Sequence, residues 1–426
     1  MTTYLFPDRT QWSEIVKRPV FDNSQLRELV SGLLQQIREG GDNVLRELEA
    51  RFDHCTLTDL AVSEVEFAEA RTLIAPELAS AIDNAYKNIA AFHASQRTEG
   101  ARVETQPGVV CWQKSIAIDK VGLYIPGGTA PLFSTVLMLA IPAKIAGCSE
   151  IVLCTPPNAE GKVNPAILYA AQVAGVTKVF KVGGVQAIGA MAYGTETVPQ
   201  VYKIFGPGNQ FVQMAKQLVS LRDVAIDMPA GPSEVCVVAD ADADPEYVAS
   251  DFLSQAEHGA DSQAILVTDS EDLAKRFEVV MALQLEKLHR QELTRKSLEH
   301  SKVIVLHNMD EVMELVNEYA PEHLIINTRA YMNLAQKVRN AGSVFLGPFS
   351  PESAGDYASG TNHTLPTNGY AKAYNGVNLD SYMRKVTFQE LSADGLRSLG
   401  PVIEVMASAE QLDAHRNAVS VRLKNL

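Results

Sequence analysis

Residues 121–154, VGLYIPGGTAPLFSTVLMLAIPAKIAGCSEIVLC, alternate between two textures. Val121–Ile125 is a short apolar run that reads as a strand and stops at Pro126-Gly127-Gly128. Ser134–Ala146 carries the longer apolar pattern of a helix and is closed by Gly147. Ile151–Cys154 is a second strand. The same alternation continues with a helix over about Asn164–Ala174 and a strand Lys178–Val182 ending in Gly183-Gly184. A helix over Val185–Tyr193 follows, and then a strand Tyr202–Phe205 that ends in Gly206-Pro207-Gly208-Asn209 and leads into a helix to about Leu221. Strands separated by helices of this size predict an α/β fold with a parallel, doubly wound sheet.

Downstream lies a second α/β series. Pro245 suits the first turn of a helix behind Asp244 that runs to about His258 and stops at Gly259. Strands are expected near Ala264–Thr268, Lys302–Leu306, His323–Asn327 and Ser343–Leu346, with helices between them. An irregular segment, Gly347–Asn375, comes next, and from about Asp380 the chain reads as a helical tail. Upstream, residues 1–110 read mainly as helices: Ser24–Phe52 and Ser63–Ser95 place apolar residues three and four apart, as in Leu26, Leu29, Val30, Leu33, Leu34 and Ile37.

A chain of 426 residues is too long for one ordinary core, so more than one domain is expected. Net charge is −14, from 37 basic and 51 acidic residues, with no basic stripe, which argues against a nucleic-acid partner. No apolar run approaches the roughly 18 residues a membrane span needs. The opening Met1-Thr2-Thr3-Tyr4-Leu5-Phe6-Pro7-Asp8 lacks the basic and apolar regions of a signal peptide. Cys55, Cys111, Cys148, Cys154 and Cys236 are scattered, without a CxxC pair, and read as free thiols in a reducing cytoplasm.

The three glycine-rich turns lie where an open parallel sheet binds ligands, at its carboxyl edge. Glycine there admits a phosphate and the following helix N-terminus favours it, although ordinary strand-to-helix turns look the same and no GxGxxG is present. Gln255 and His258, three apart, share one helix face and could hold a metal, although on spacing alone a satisfied structural histidine is the commoner reading. Glu322 beside His323, where a helix gives way to a strand, could serve two separate proton transfers. Gly347–Thr367 is a long loop of small and polar residues, in which Asp356 is a possible metal ligand and His363 a possible lining residue. Glu410 and His415 sit five apart on a predicted helix and do not share a face.

Six blocks together carry a resemblance: Val121–Cys148, Gly206–Lys216 (GPGNQFVQMAK), Ile226–Val238 (IDMPAGPSEVCVV), Asp251–Gln263 (DFLSQAEHGADSQ), Glu318–Leu324 (EYAPEHL) and Gly347–Thr367. In this order they resemble histidinol dehydrogenases, over essentially the whole chain and with no departure at the motif positions. The resemblance implies two Rossmann-like domains of the aldehyde dehydrogenase kind, with parallel sheets and small helical N- and C-terminal extensions. The expected division is an N-terminal extension over 1–25, a first α/β domain from 26–120 with 236–376, an NAD-binding α/β domain over 121–235, and a tail over 377–426 exchanged in a homodimer.

The resemblance further implies NAD-dependent oxidation of L-histidinol to L-histidine in two hydride transfers, within histidine biosynthesis. Zn²⁺ is expected on Gln255, His258 and Asp356, with His415 arriving from the partner subunit. Glu322 and His323 match the family's acid/base pair. Ser233, Gln255, His258, His323, Asp356, Glu410 and His415 match its substrate contacts, and Tyr124, Gln186 and Asn209 its NAD contacts. A rival route through a cysteine thiohemiacetal would draw on Cys111 or Cys148, but neither has an activating neighbour in sequence.

Overall fold

The computed structural model describes residues 1–18, 24–127 and 130–426. Gly128, the last residue of the first glycine turn, lies outside them. A five-stranded sheet runs in the order Lys178–Lys181, Glu150–Thr155, Lys120–Tyr124, Lys203–Phe205, Ala225–Ile226, with every neighbouring pair parallel. The chain winds outward from Lys120–Tyr124 on one side and then returns to its other side. The switch point therefore falls between Lys120–Tyr124 and Lys203–Phe205.

A six-stranded parallel sheet follows the order Thr2–Leu5, Lys302–Val305, Gln263–Thr268, Glu234–Ala239, His323–Asn327, Ser343–Leu346. Apart from its first strand it repeats the winding of the five-stranded sheet, with the switch between Glu234–Ala239 and His323–Asn327. Every residue of Glu234–Ala239 and Gln263–Thr268 is buried, as expected of parallel strands covered on both faces. Val235 and Val237 feed one hydrophobic cluster, and Cys236 and Val238 the one on the opposite face.

Helix Phe133–Ala146 is buried continuously from Ser134 to Ala143. It lies between helices Pro76–Ala94 and Pro165–Ala174, which explains a composition that is apolar all round. Its stop is the expected one, since Gly147 takes the left-handed conformation with φ 95°.

Three readings of the sequence are corrected. Residues 1–110 are not all helical: Thr2–Leu5 is a strand, and Val103–Gln106 and Val109–Ala117 form an antiparallel hairpin. The expected helical tail begins with a strand, Met383–Leu391, that pairs antiparallel along the whole of Val109–Ala117. Trp112 stacks on Phe388 across that pair, with ring centroids 5.4 Å apart. Within the segment read as irregular, Glu352–Tyr357 is a short helix.

The cores also divide differently from the expected domains. Helix Ser24–Phe52, broken at Gly41 (φ 54°), packs on helices Gly184–Tyr193 and Gln210–Ser220. Helix Pro76–Ala94 packs on Phe133–Ala146. Residues 30–94 thus share their hydrophobic clusters with the five-stranded sheet rather than with residues 236–376. Thr2–Leu5 belongs to the six-stranded sheet. The amphipathic spacing that identifies these helices does not say which sheet they cover.

Candidate active site

A helix that follows a parallel strand returns antiparallel to it. Helix Pro245–Ala256 therefore carries Gln255, and His258 just beyond it, back to the amino edge of the six-stranded sheet. There the strands Glu234–Ala239 and His323–Asn327 start side by side, with His323 opposite Val235. Helix Met309–Tyr319 is closed by Ala320 in the left-handed conformation (φ 54°), and Pro321 then feeds Glu322 and His323 into the sheet. The short helix Glu352–Tyr357 adds Glu352 and Asp356, four apart and so on one face.

The imidazole of His323, 4% exposed, is the centre of this cluster. Its Nδ1 is 3.4 Å from the Glu234 carbonyl oxygen, which can only accept, so Nδ1 carries the proton in that bond. Glu322 Oε2 and Glu352 Oε1 stand 3.7 and 3.8 Å from the same nitrogen. On the other side Nε2 lies 3.5 Å from Asp356 Oδ1 and makes no hydrogen bond. Glu322 is held from behind, its Oε2 accepting from the Glu234 N–H at 2.9 Å.

Burial opposes a charged imidazole, but the carboxylates of Glu352, Glu322 and Asp356 outweigh it and hold His323 well above the ordinary histidine range. Burial pushes the Glu352 carboxyl up to about 8 against the attraction of His323. Burial pushes the Asp356 carboxyl up, but the nearby charge of His323 outweighs it and holds Asp356 below its usual value. Two buried carboxylates and a partly buried one thus share one imidazole, an excess of negative charge that a bound cation would relieve.

Ligand atoms of His258, Glu352 and Asp356 all lie within 4.8 Å of one another. Gln255 adjoins them. Its amide satisfies both neighbours when its nitrogen faces Glu352 and its oxygen accepts from the Glu234 N–H at 2.9 Å; a shared cation would call for the reverse. The donor set of imidazole, amide and carboxylate suits a borderline divalent ion such as Zn²⁺.

The other expected half sits at the carboxyl edge of the five-stranded sheet, on its switch point. Tyr124, Gln186 and Asn209 line one cavity of about 410 Å³ there, together with Asp53, Phe52 and Pro156. Gly206 is required at this edge: it has φ 130°, and a Cβ would stand 2.2 Å from the Tyr124 carbonyl oxygen. The turn is fastened beneath by Asp227, which accepts from Gly206 N (2.8 Å) and pairs with buried Lys216 (2.6 Å).

Of the two readings left open for the glycine turns, the hydrogen bonds favour ordinary strand-to-helix turns over free phosphate cradles. Gly183 N donates to Glu49 Oε1 (2.9 Å) and Gly184 N to the Tyr124 hydroxyl (3.2 Å). Asn209 Oδ1 accepts from Phe211 N and Val212 N at the next helix start. These donors are engaged by the protein's own side chains.

A family model described as histidinol dehydrogenase matches residues 16–423. The chain belongs to the histidinol dehydrogenase family. The histidinol dehydrogenase of Bacteroides fragilis strain YCH46 is 64% identical over 421 residues, spanning 99% of this chain and 98% of that one. The Mannheimia succiniciproducens enzyme of that name is 51% identical over 431 residues, covering all of both chains. The crystal structure of histidinol dehydrogenase from Elizabethkingia anophelis superposes with a TM-score of 0.97 at 51% identity, covering 100% of this chain and 98% of that one. A betaine aldehyde dehydrogenase from Staphylococcus aureus matches in fold alone, with a TM-score of 0.50 at 12% identity over 86% and 82% of the two chains.

Membership of the histidinol dehydrogenase family makes this protein an oxidoreductase of histidine biosynthesis, and its fold is the expected pair of Rossmann-like α/β units with small terminal extensions. Among the described residues no helix is long and apolar enough to cross a membrane.

Of the expected site residues, the chain gathers Gln255, His258, Glu322, His323 and Asp356 at one sheet edge and Tyr124, Gln186 and Asn209 at the other. Ser233 is half-buried one position before Glu234, with its carbonyl accepting from Gln263 N. Glu410, in the turn that ends helix Ala393–Ala409, and His415, on the separate helix Asp413–Leu423, are exposed rather than on one helix as expected, and His415 is not in the cluster with His258. His363 joins the two halves, one ring nitrogen on the Asp356 carbonyl (2.9 Å) and the other on Thr135 Oγ1 (3.1 Å).

Sequence reasoning missed Glu352, although its i,i+4 spacing to Asp356 behind Pro351 was a usable signal. It also missed Glu234, which accepts from Nε and Nη2 of Arg18 at 2.7 and 2.6 Å. Glu49 and Asp53, on and just beyond the helix Ser24–Phe52 far away in sequence, gave no signal at all.

Proposed function

We propose that this protein oxidises L-histidinol through L-histidinal to L-histidine at the amino edge of the six-stranded sheet, with Zn²⁺ and two molecules of NAD per turnover. The observation that carries the reading is the buried Glu322–His323 pair beside an imidazole–amide–carboxylate cluster, in a chain that matches histidinol dehydrogenases throughout. Gln255, His258 and Asp356 would hold the metal, with His415 of the partner subunit. Bound zinc orients the imidazole and amine of the substrate and offsets the carboxylate field around His323, and bound NAD accepts the hydride of each half-reaction.

The chain's own residues move the protons. His323 Nε2, which has no hydrogen-bond partner, takes the hydroxyl proton as the alcohol becomes an aldehyde. Glu322 draws a proton from the water that adds to the aldehyde carbon, giving the gem-diol. His323 then accepts a proton again as the diol becomes the carboxylic acid. The Glu234 carbonyl and N–H keep the two groups apart in role, one fixing the His323 ring and the other the Glu322 carboxylate. Ser233 and Glu410 are assigned to substrate contacts, and Tyr124, Gln186 and Asn209 to NAD.

Two copies would complete one site. The C-terminal helices leave Val402, Val405, Met406 and Leu412 exposed, with Val405 at 71%. Such a face on a peripheral hairpin suits docking on a second copy of the chain. The five free cysteines fit a cytoplasmic home.

The test is NADH formation from histidinol by purified protein before and after chelation. Activity should vanish when the chelator is used and return with zinc. Full activity in exhaustively metal-free protein would remove zinc from the reading.

A further inference from the structure

The cavity that holds Tyr124, Gln186 and Asn209 contains one charged side chain among its described lining residues, Asp53. Asp53 also lines the adjoining cavity of about 620 Å³, which shares Phe52, Gly127 and Pro156 with it. It therefore stands at the junction of a trough long enough for more than a single ring. No lysine or arginine faces the first cavity among those residues. Its nearby turn donors, Gly183 N and Gly184 N, are occupied by Glu49 and Tyr124. Such a wall is poor ground for a phosphate and good ground for hydroxyl groups, because a carboxylate accepts hydrogen bonds and repels anions.

Glu49 supports Asp53 from one helical turn earlier. It is fully buried, and its Oε1 accepts from both Gly183 N and Gln186 Nε2 (3.1 Å). Gln186 Nε2 also reaches Asp53 Oδ2 at 3.4 Å. The two carboxyl groups are close enough to act on one another, and burial raises both. Burial, reinforced by the charge of Asp53, pushes Glu49 up to about 8, so the proton resides on Glu49 and the charge on Asp53.

On the reading that this cavity takes the dinucleotide, we propose that Asp53 determines its identity: the carboxylate accepts from a ribose diol of NAD and excludes the 2′-phosphorylated form. A free 2′-hydroxyl is a donor to that carboxylate, and a 2′-phosphate sets two anions against each other in a cavity whose described lining holds no lysine or arginine.

The test compares NAD with NADP, by calorimetric binding to the intact enzyme without histidinol and by kcat/KM with it. The native enzyme should prefer NAD at least a hundredfold. Asp53→Asn, which keeps size and polarity, should narrow that preference at least tenfold by weakening NAD and improving NADP together. Glu49→Gln leaves the charge facing the cavity intact, and its NAD-to-NADP ratio should stay native. An unchanged ratio in Asp53→Asn, an equal loss for both dinucleotides, or the same narrowing in Glu49→Gln would overturn the assignment. Failure of the native enzyme to bind or reduce either dinucleotide would instead sink the NAD reading on which it rests.

Discussion

At His323 the backbone decides what the side chain can do. The Glu234 carbonyl fixes a proton on Nδ1, so on the proposed mechanism the proton traffic of both half-reactions falls to Nε2. His323→Asn should slow alcohol and aldehyde oxidation alike, by roughly a hundredfold or more. Glu322→Gln should impair aldehyde oxidation far more than alcohol oxidation, measured by supplying histidinal or histidinol separately. Equal slowing of both steps would end the assignment of Glu322 to water activation. The cysteines should matter little to chemistry. Burial pushes the Cys148 thiol up to about 12, and Cys111 lies mid-strand in the three-stranded sheet opposite Gln389 and Val103. Cys148→Ala and Cys111→Ala are expected to retain most activity; a loss of about a thousandfold in folded enzyme would revive a covalent route. Glu49 offers a test through stability. A carboxyl raised from 4.5 to about 8 by burial holds its proton more tightly folded than unfolded. Its contribution is therefore complete below the unfolded value and is lost as pH rises toward the folded one. Denaturation midpoints between about pH 5 and about pH 8 should fall less in Glu49→Gln than in the native protein.

Individual elements were legible in the sequence where one local signal decided them. Gly147 and Gly206 announced a helix stop and a strand-to-helix turn, and both stand where left-handed or crowded backbone requires them. Gly206→Ala is expected to lower the unfolding midpoint by roughly 1–3 kcal/mol of stability and to weaken NAD binding. A midpoint equal to the native one would mean that the turn relaxes without cost. The strand Met383–Leu391 escaped because its partner, Val109–Ala117, is far away in sequence, and a strand's stability lies in its cross-strand pairs. Its alternation was present in Val386 and Phe388, but nothing nearby named the hairpin that it covers. The same holds for the site. Gln255 and His258 were readable as one helix face, whereas Glu234 and Glu49 act through backbone groups of distant segments, a relation that no local spacing encodes.

At the scale of the whole molecule, two sheets of the same winding use opposite edges. The five-stranded sheet presents its carboxyl edge to the cavity assigned to NAD, and the six-stranded sheet its amino edge to Glu322 and His323. The His363 bridge from Asp356 to Thr135 ties one to the other. If His415 of the partner subunit completes the metal site, mixing inactive His415→Ala and His258→Ala chains should restore activity. One site of such a heterodimer carries both lesions and the other none, which limits recovery to about half the native rate per dimer. Verified heterodimers that stay inactive would mean that each tail serves its own subunit. The central claim, that one Glu322–His323 pair carries both oxidations, is tested most directly by stoichiometry. Histidinol consumed, NADH formed and histidine released should be counted in a single reaction run to completion. The account predicts about two NADH for each histidine, with no free aldehyde accumulating. One NADH per histidinol, with histidinal released as the product, would contradict it.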